Sequence, residues 1–151
     1  MTSTLFTLTF ALAAPFWALM ILLPRWSWTA RIVNSPLIVL PVLVIYALLV
    51  IPAYREVLPA VLSPTLDGVR ELLSSADGAA AAWAHLIAFD LFAGRWAWLD
   101  SRERAVPALI MAPVLVLTIL LGPLGLAAYL GVRSGWPRPS VARTPEPQRL
   151  G

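Results

Sequence analysis

Long apolar runs separated by short charged patches dominate the hydrophobic pattern of the chain. Four such runs lie at residues 5–23, 36–53, 79–98 and 106–132. A helix needs on the order of 20 residues to cross the hydrocarbon core of a bilayer. Prolines within such helices are tolerated because neighbouring helices satisfy the freed carbonyls. The pattern therefore predicts an all-α integral membrane protein, a bundle of four transmembrane helices.

Tryptophans support the boundaries of these helices. Five of them lie at predicted helix ends: Trp26, Trp28, Trp96, Trp98 and Trp136. Their amphipathic rings suit the headgroup region of a bilayer. Trp17 and Trp83 lie deeper, where we expect them to pack or to line a pocket.

The segment between the second and third apolar runs, residues 54–78, is polar enough to leave the membrane. Ser63 and Pro64 are typical of a helix start, as an N-cap followed by proline at the first helical position. Apolar residues then recur at helical spacing, at Leu66, Val69, Leu72 and Leu73. We expect a short interfacial helix between helices two and three; a solvated loop is the alternative.

The apolar runs and the connection between them form one predicted domain, residues 1–133. The remainder, residues 134–151, is rich in proline and arginine and has too few apolar residues to form a core, so we expect it to be disordered.

Composition excludes several classes of protein. Hydrophobic residues make up 60% of the chain and charged residues 13%, against about 25% charged in soluble domains. The basic residues are all arginines beside apolar runs, a distribution that does not indicate nucleic-acid binding. With no cysteine and one histidine, the chain cannot build disulfides, thiolate zinc sites or multi-histidine sites. We therefore expect no metal site.

The four-helix hypothesis puts both termini on one side of the membrane and divides the arginines almost equally between the two sides. One side then carries five arginines, Arg25, Arg31, Arg95, Arg102 and Arg104. The other side carries six, Arg55, Arg70, Arg133, Arg138, Arg143 and Arg149. Five against six is too close for the excess of cytoplasmic arginine and lysine to decide the orientation.

Candidate chemistry is concentrated in the third apolar run, which contains His85 and Asp90 and is followed closely by Arg95. A charge at the bilayer centre costs about 2.5–3.5 kcal/mol on insertion scales. Such residues face the bundle interior, pair with a partner and often carry function. Asp90 is thus the most informative residue. Structural roles compete: Asp90 bonded to Tyr46 or Tyr129, His85 packed against a carbonyl, and Arg95 in an interfacial charge cluster.

Helical geometry divides this run into two sides. One side carries Trp83, Asp90, Gly94 and Ala97, and its small residues favour close helix approach. The adjoining side is aromatic and carries His85, Phe89, Phe92 and Trp96. His85 and Asp90 are about 140° apart around the helix, so they do not meet directly. Further along, Gly122–Pro123 predicts a kink or a close helix contact, which would either open space for a ligand or serve the structure alone.

Several of these motifs together resemble a known family. They are residues 15–26 (PFWALMILLPRW), His85, residues 89–92 (FDLF), residues 94–96 (GRW) and residues 122–126 (GPLGL). The chain resembles the abscisic-acid-deficient-four-like membrane proteins, named for a plant protein required to make neoxanthin. No plastid transit peptide precedes the first apolar run. The resemblance therefore suggests a bacterial member, multi-pass in the inner membrane.

The resemblance implies carotenoid chemistry, with a carotenoid or a similar apolar small molecule as partner. In the plant conversion an epoxide end ring becomes an allenic alcohol, an isomerisation that requires no redox cofactor. Asp90, as a neutral acid, would donate a proton and His85 would accept one; if Arg95 keeps Asp90 ionised, the roles reverse. Aromatic side chains would contact the polyene, namely Trp17, Trp83, Phe89, Phe92, Trp96 and Tyr129.

Other functions stay open at this stage. A non-catalytic carotenoid carrier or an assembly subunit of a pigment complex would use the same aromatic faces. Proton or ion transport is disfavoured because the runs contain no chain of carboxylates. A homo-oligomer is compatible with the sequence.

Overall fold

The computed structural model describes residues 1–138. Within them the chain forms eight α-helices and one 3₁₀ helix, without strands, which confirms the all-α class. The helices are α1 (Thr2–Leu22), α2 (Ser27–Asn34), the 3₁₀ helix (Pro36–Val39), α3 (Leu40–Val50), α4 (Tyr54–Leu62), α5 (Leu66–Ser74), α6 (Ala76–Glu103), α7 (Ala108–Leu120) and α8 (Gly122–Gly135). Most of the tail predicted to be disordered, residues 139–151, lies outside the described residues.

Helices α1, α3 and α6 form the centre of the bundle. Helices α1 and α6 run parallel: Thr2 bonds Asp77 at one end, and the Trp98 indole donates to the Met20 carbonyl over 3.2 Å at the other. Helix α3 runs antiparallel to them, because its C-terminal Leu49 packs with alanines from the start of α6. Small residues permit this close packing, as the pattern of the third run predicted. A methyl group on Gly94 would overlap the Trp17 ring.

Helices α7 and α8 replace the predicted fourth transmembrane helix, which was expected to be continuous over residues 106–132. Helix α7 begins shortly after Arg104, and α8 returns to it, since Arg104 Nη1 donates to the Trp136 carbonyl over 3.0 Å. The two helices therefore form an antiparallel hairpin that reverses at Leu121. Gly125 lies so close to Thr118 that a methyl group there would overlap the Thr118 backbone.

Helices α4 and α5 connect α3 to α6 at the N-terminal end of α6. Helix α5 confirms a helix in this connection and excludes the solvated loop, but its predicted start was wrong. Thr65, rather than Ser63, caps it by accepting from the Gly68 N–H over 3.1 Å. Ser63 instead ends α4, a helix that the sequence pattern did not predict. The apolar residues Leu66, Val69 and Leu73 remain exposed on α5.

Length and apolar composition identify one to three candidate membrane spans among the described residues. Thr2–Leu22 meets the requirement alone. Two pairs of consecutive helices meet the requirement only if each pair is taken as one span. They are Ser27–Asn34 with Pro36–Val50, with a bend of 77° between them, and Leu66–Ser74 with Ala76–Glu103, with a bend of 100°. Because α7 and α8 form a hairpin, the two ends of the described chain lie at opposite ends of the bundle.

Candidate functional site

Asp90 lies half-buried near the middle of α6, beside the tip of the α7–α8 hairpin. The tip approaches closely because residue 122 is a glycine. A methyl group on Gly122 would overlap the Asp90 carboxylate. The motif Gly122–Pro123, predicted to mark a kink or a close contact, thus marks both: a complete chain reversal and the approach to Asp90.

The N-terminus of α8 lies beside the Asp90 carboxyl group. Helix α8 begins at Gly122 with Pro123 in its first turn. The N-terminus of a helix carries a partial positive charge from its unpaired N–H groups. This partial charge lies beside the Asp90 carboxyl group.

Asp90 differs from the other acidic residues of α6 in its bonding. Asp77 accepts from Thr2, Asp100 accepts from several donors, and Glu103 pairs with Arg138 over 2.6 Å. Among residues 1–138 no hydrogen bond or ion pair is found for Asp90. The suggested tyrosine partners are engaged elsewhere: Tyr129 donates to Asp100, and Tyr46 packs against His85.

His85 lies on a different side of α6 from Asp90, as the 140° separation predicts. Its ring centroid is 5.7 Å from that of Tyr46 on α3 and 4.7 Å from that of Phe89. No hydrogen bond joins His85 to Asp90 in the described part of the chain. A ligand lying across Phe89 would therefore be needed to bring both side chains into one reaction.

The predicted aromatic residues divide into exposed and buried groups. Phe89 and Phe92 are 61% and 55% exposed on the surface of the bundle. Trp83 stacks on Phe6 with centroids 5.5 Å apart, and its indole N–H is buried without a hydrogen-bond partner among the described residues. Trp17 is buried against Gly94.

Trp96 and Tyr129, also predicted to contact the ligand, pack edge to face with their centroids 5.3 Å apart. Tyr129 is completely buried. Trp96 belongs to α6 and Tyr129 to α8, so the pair is part of the contact between α6 and the hairpin.

The hairpin covers only the C-terminal half of this face of α6. Phe89, Trp96 and Asp100 are spaced by seven and four residues, so they share one face of the helix. Trp96 and Asp100 lie under α8, in contact with Tyr129. Phe89 and Leu86, on the N-terminal side of the hairpin tip, remain 61% and 53% exposed. The result is an apolar shelf, formed by Leu86 and Phe89, that ends at Asp90 and Gly122.

Arg95 does not pair with Asp90. Its Nε donates to the Val33 carbonyl over 2.7 Å and its Nη2 to the Asn34 carbonyl over 2.6 Å. These carbonyls lie at the C-terminal end of α2, where the last turn lacks intrahelical partners. Arg95 thus holds α2 across the end of the bundle.

Asp100 is the centre of a charge cluster. The sequence pattern predicted an interfacial cluster here but not its centre. Its Oδ2 accepts from Arg104 Nε at 2.7 Å, Tyr129 Oη at 2.6 Å and Arg133 Nε at 2.9 Å. Its Oδ1 accepts from Arg138 Nη2 at 3.0 Å. The carboxylate is buried, and its donors come from the C-cap of α6, from α8 and from the segment after α8. Asp100 therefore ties the hairpin to α6.

No group of three or more His, Cys, Asp or Glu side chains suited to a metal ion occurs among residues 1–138.

Comparison with known proteins places the sequence in a family. The profile of the ABA DEFICIENT 4-like family matches residues 4–129, from α1 to the middle of α8. The chain belongs to the ABA DEFICIENT 4-like family. The match includes Asp90, the hairpin tip, Asp100 and Tyr129, whereas Arg133 and Arg138, two of the donors to Asp100, lie beyond it.

Among curated proteins, a relative of this ABA DEFICIENT 4-like chain is Protein ABA DEFICIENT 4, chloroplastic, from Arabidopsis thaliana. The two are 34% identical over 111 residues, which cover 69% of this chain and 50% of the relative. The chain thus spans about half the length of the curated relative it matches. No solved structure matches the chain.

Proposed function

We propose that this ABA DEFICIENT 4-like protein is embedded in a membrane and converts the end group of a carotenoid. Asp90 acts on the oxygen atom of that end group. The observation that carries the proposal is the bonding of Asp90: it alone among the acidic residues of α6 has no partner in the described chain. Intramembrane carboxylates are costly, and one without a structural partner is a candidate for function.

The apolar shelf accounts for binding of the polyene. A carotenoid is a long apolar molecule that resides in the bilayer, and Leu86 and Phe89 are exposed where it would approach from lipid. The shelf leads to Asp90, so a polyene lying on it would bring its polar end group to the carboxyl group.

The proposed reaction is an acid–base isomerisation, as the family resemblance implies. The Asp90 carboxylic acid gives its proton to an epoxide oxygen while the carbon–oxygen bond breaks. His85, across Phe89, takes a proton from the polyene carbon, and an allenic alcohol forms. Substrate and product have the same atoms and the same oxidation level. The positive end of α8 stabilises the carboxylate that Asp90 becomes.

A pigment-binding role without catalysis is the second candidate. Phe89 and Phe92 are exposed on the outer surface, which would suit a stoichiometric pigment as well as a substrate. The proposed location for either role is the cytoplasmic membrane of a carotenoid-producing bacterium, with several crossings.

Pigment profiles from carotenoid-producing cells test the proposal. Carotenoids with plain, hydroxylated or epoxidised end rings are supplied in turn to cells with the wild-type protein, Asp90→Asn or Asp77→Asn. The control variant makes the same substitution in α6 at the end of the bundle. We expect a new product with the wild type and Asp77→Asn, and at most a trace of it with Asp90→Asn. Product from Asp90→Asn in the amount that the wild type forms would contradict the role of this residue. Co-purifying but unchanged pigment would favour binding without catalysis.

A further inference from the structure

The two ends of the bundle differ strongly in charge. The arginine end, where α1 stops and the hairpin begins and finishes, is defined by seven arginines: Arg25, Arg31, Arg95, Arg102, Arg104, Arg133 and Arg138. Contacts place them together, since Arg102 bonds the Pro24 carbonyl over 2.8 Å and Arg133 bonds Asp100 over 2.9 Å. Two acidic residues, Asp100 and Glu103, lie at this end.

The opposite end has the reverse balance. It comprises the N-terminus, α4, α5 and the start of α6, and Thr2 bonds Asp77 there. Its charged side chains are Arg55, Glu56, Asp67, Arg70, Glu71 and Asp77. In the described chain the arginine count is therefore seven at one end and two at the other.

The hairpin creates this difference. A continuous fourth helix would carry Arg133 and Arg138 to the end that holds Arg55 and Arg70, which gave the undecided count of five against six. Because the chain reverses at Leu121, Arg133 returns to Asp100 instead. The orientation signal thus depends on the fold and is absent from a linear count of apolar runs.

We infer that the arginine end lies in the cytoplasmic leaflet of the membrane, against anionic phospholipid headgroups. An excess of arginine and lysine in short segments is retained on the cytoplasmic side, and anionic lipids attract such segments. The guanidinium of Arg31 stacks over the exposed Trp28 ring at 4.9 Å, which suits a headgroup region. The N-terminus, α4 and α5 then face the other side.

This orientation determines the leaflet from which a ligand would reach the proposed site. The inference rests on the membrane embedding in that proposal, and it is independent of the carotenoid chemistry. The apolar shelf lies between the hairpin tip and the opposite end of the bundle, so it faces the extracytoplasmic leaflet. A ligand would therefore enter from that leaflet.

Single-cysteine labelling tests the orientation, because the chain has no cysteine of its own. Ser63, between α4 and α5, and Ser134, near the end of α8, are both exposed and are matched sites for serine-to-cysteine substitution. Spheroplasts containing Ser63→Cys or Ser134→Cys, without carotenoid, are treated with a membrane-impermeant maleimide. We expect labelling of Ser63→Cys in intact spheroplasts and of Ser134→Cys only after lysis.

The reverse pattern, or equal labelling of the two variants before lysis, would overturn the orientation. Recovery of the protein in the soluble fraction would overturn the embedding as well. Loss of carotenoid conversion with the expected labelling pattern would instead affect the proposed reaction alone.

Thermal unfolding in vesicles tests the lipid partner. We expect the wild type to unfold at a higher temperature in phosphatidylglycerol vesicles than in phosphatidylcholine vesicles. The double variant Arg25→Gln/Arg31→Gln should lose most of this difference, while the control Arg55→Gln/Arg70→Gln at the opposite end should keep it. An equal loss in both double variants would contradict selective binding of anionic headgroups at the arginine end.

Discussion

At the scale of single residues, the acidic side chains of α6 have two kinds of environment. Asp100 accepts four hydrogen bonds in a buried cluster, whereas Asp90 faces the positive end of α8 with no bonding partner in residues 1–138. The first arrangement stabilises a contact between helices. The second is the arrangement for which we propose a role in ligand conversion.

Substitution of Gly122 by alanine tests the position of Asp90. The added methyl group overlaps the carboxylate, so the side chain or the hairpin tip must shift. Displacement of a reacting group by about 1 Å can cost on the order of 100-fold in rate. We expect carotenoid conversion by Gly122→Ala to fall at least tenfold. Gly131→Ala, in open space on the same helix, should convert carotenoid at the wild-type rate. Equal rates for the two variants would show that the Asp90 position is unimportant.

Substitution of His85 by phenylalanine separates packing from proton transfer. Phenylalanine preserves an aromatic ring between Tyr46 and Phe89 but cannot accept a proton. General bases contribute about 10²–10⁴-fold to rates. We therefore expect conversion to fall by about 100-fold or more, with the unfolding temperature within a few degrees of the wild type. Unchanged conversion would reduce His85 to a packing residue.

Replacement of Asp100 by asparagine should destabilise the fold. The change leaves Arg104, Arg133 and Arg138 close together without their carboxylate. Loss of one partner from a buried pair costs about 3–5 kcal/mol, and the partial exposure of Arg133 and Arg138 reduces this to about 2–3 kcal/mol. Thermal or denaturant unfolding of the protein in detergent measures the loss.

Tyr129→Phe is a milder substitution in the same cluster, because it removes only the hydroxyl group that donates to Asp100. A hydrogen bond to a charged group contributes about 1.5–3 kcal/mol. Because Asp100 keeps its charge and its three arginine donors in this variant, we expect a loss at the lower end of that range, smaller than in Asp100→Asn. A larger effect of Tyr129→Phe would argue against Asp100 as the centre of the cluster.

At the scale of elements, the α7–α8 hairpin depends on one close contact near its tip. Gly125 packs on the Thr118 backbone, where a methyl group has no space, while Gly131 on the same helix meets no atom within 4 Å. Gly125→Ala should therefore lower the free energy of unfolding by about 1–3 kcal/mol, the usual range for overpacking. Gly131→Ala should be neutral or stabilising by up to about 1 kcal/mol, because alanine favours helix.

Denaturant unfolding of these two variants under identical conditions provides the measurement. Similar stabilities of Gly125→Ala and Gly131→Ala would mean that α7 and α8 do not pack as a hairpin.

Local patterns predicted the helical class, the approximate positions of the helices in the first three apolar runs and the presence of a helix at Leu66–Ser74. They succeeded because apolar run length and helical spacing are properties of adjacent residues. The same patterns missed the hairpin. Apolar residues continue through residues 106–132, and the contacts that accompany the reversal at Leu121 join residues distant in sequence: Gly122 lies beside Asp90, and Arg133 bonds Asp100.

Candidate residues were predicted unevenly for the same reason. Asp90 was singled out because a carboxyl group inside an apolar run is conspicuous in any sequence, and its functional role stays a prediction. The interfacial cluster was expected, but the central role of Asp100 depends on Arg133 returning from α8. The burial of Trp17 and Tyr129 likewise depends on contacts between helices that a single sequence does not specify.

At the scale of the whole molecule, three features follow from one chain reversal. The hairpin brings the α8 N-terminus to Asp90, leaves the apolar shelf uncovered and gathers the arginines at one end. The proton donor, the apolar approach and the membrane orientation that we propose therefore all depend on this one reversal. Membership of the ABA DEFICIENT 4-like family suggests that relatives matching this region form the same hairpin.

The most direct test uses purified protein reconstituted in liposomes that contain an epoxidised carotenoid, with no added redox cofactor. The account predicts that the wild-type protein forms an isomeric product, detected by chromatography and mass spectrometry, over many turnovers. Asp90→Asn should remain folded and form product at least about 100-fold more slowly. Equal turnover by Asp90→Asn and the wild type would contradict the central role of Asp90, and no turnover by the folded wild-type protein would contradict catalysis itself.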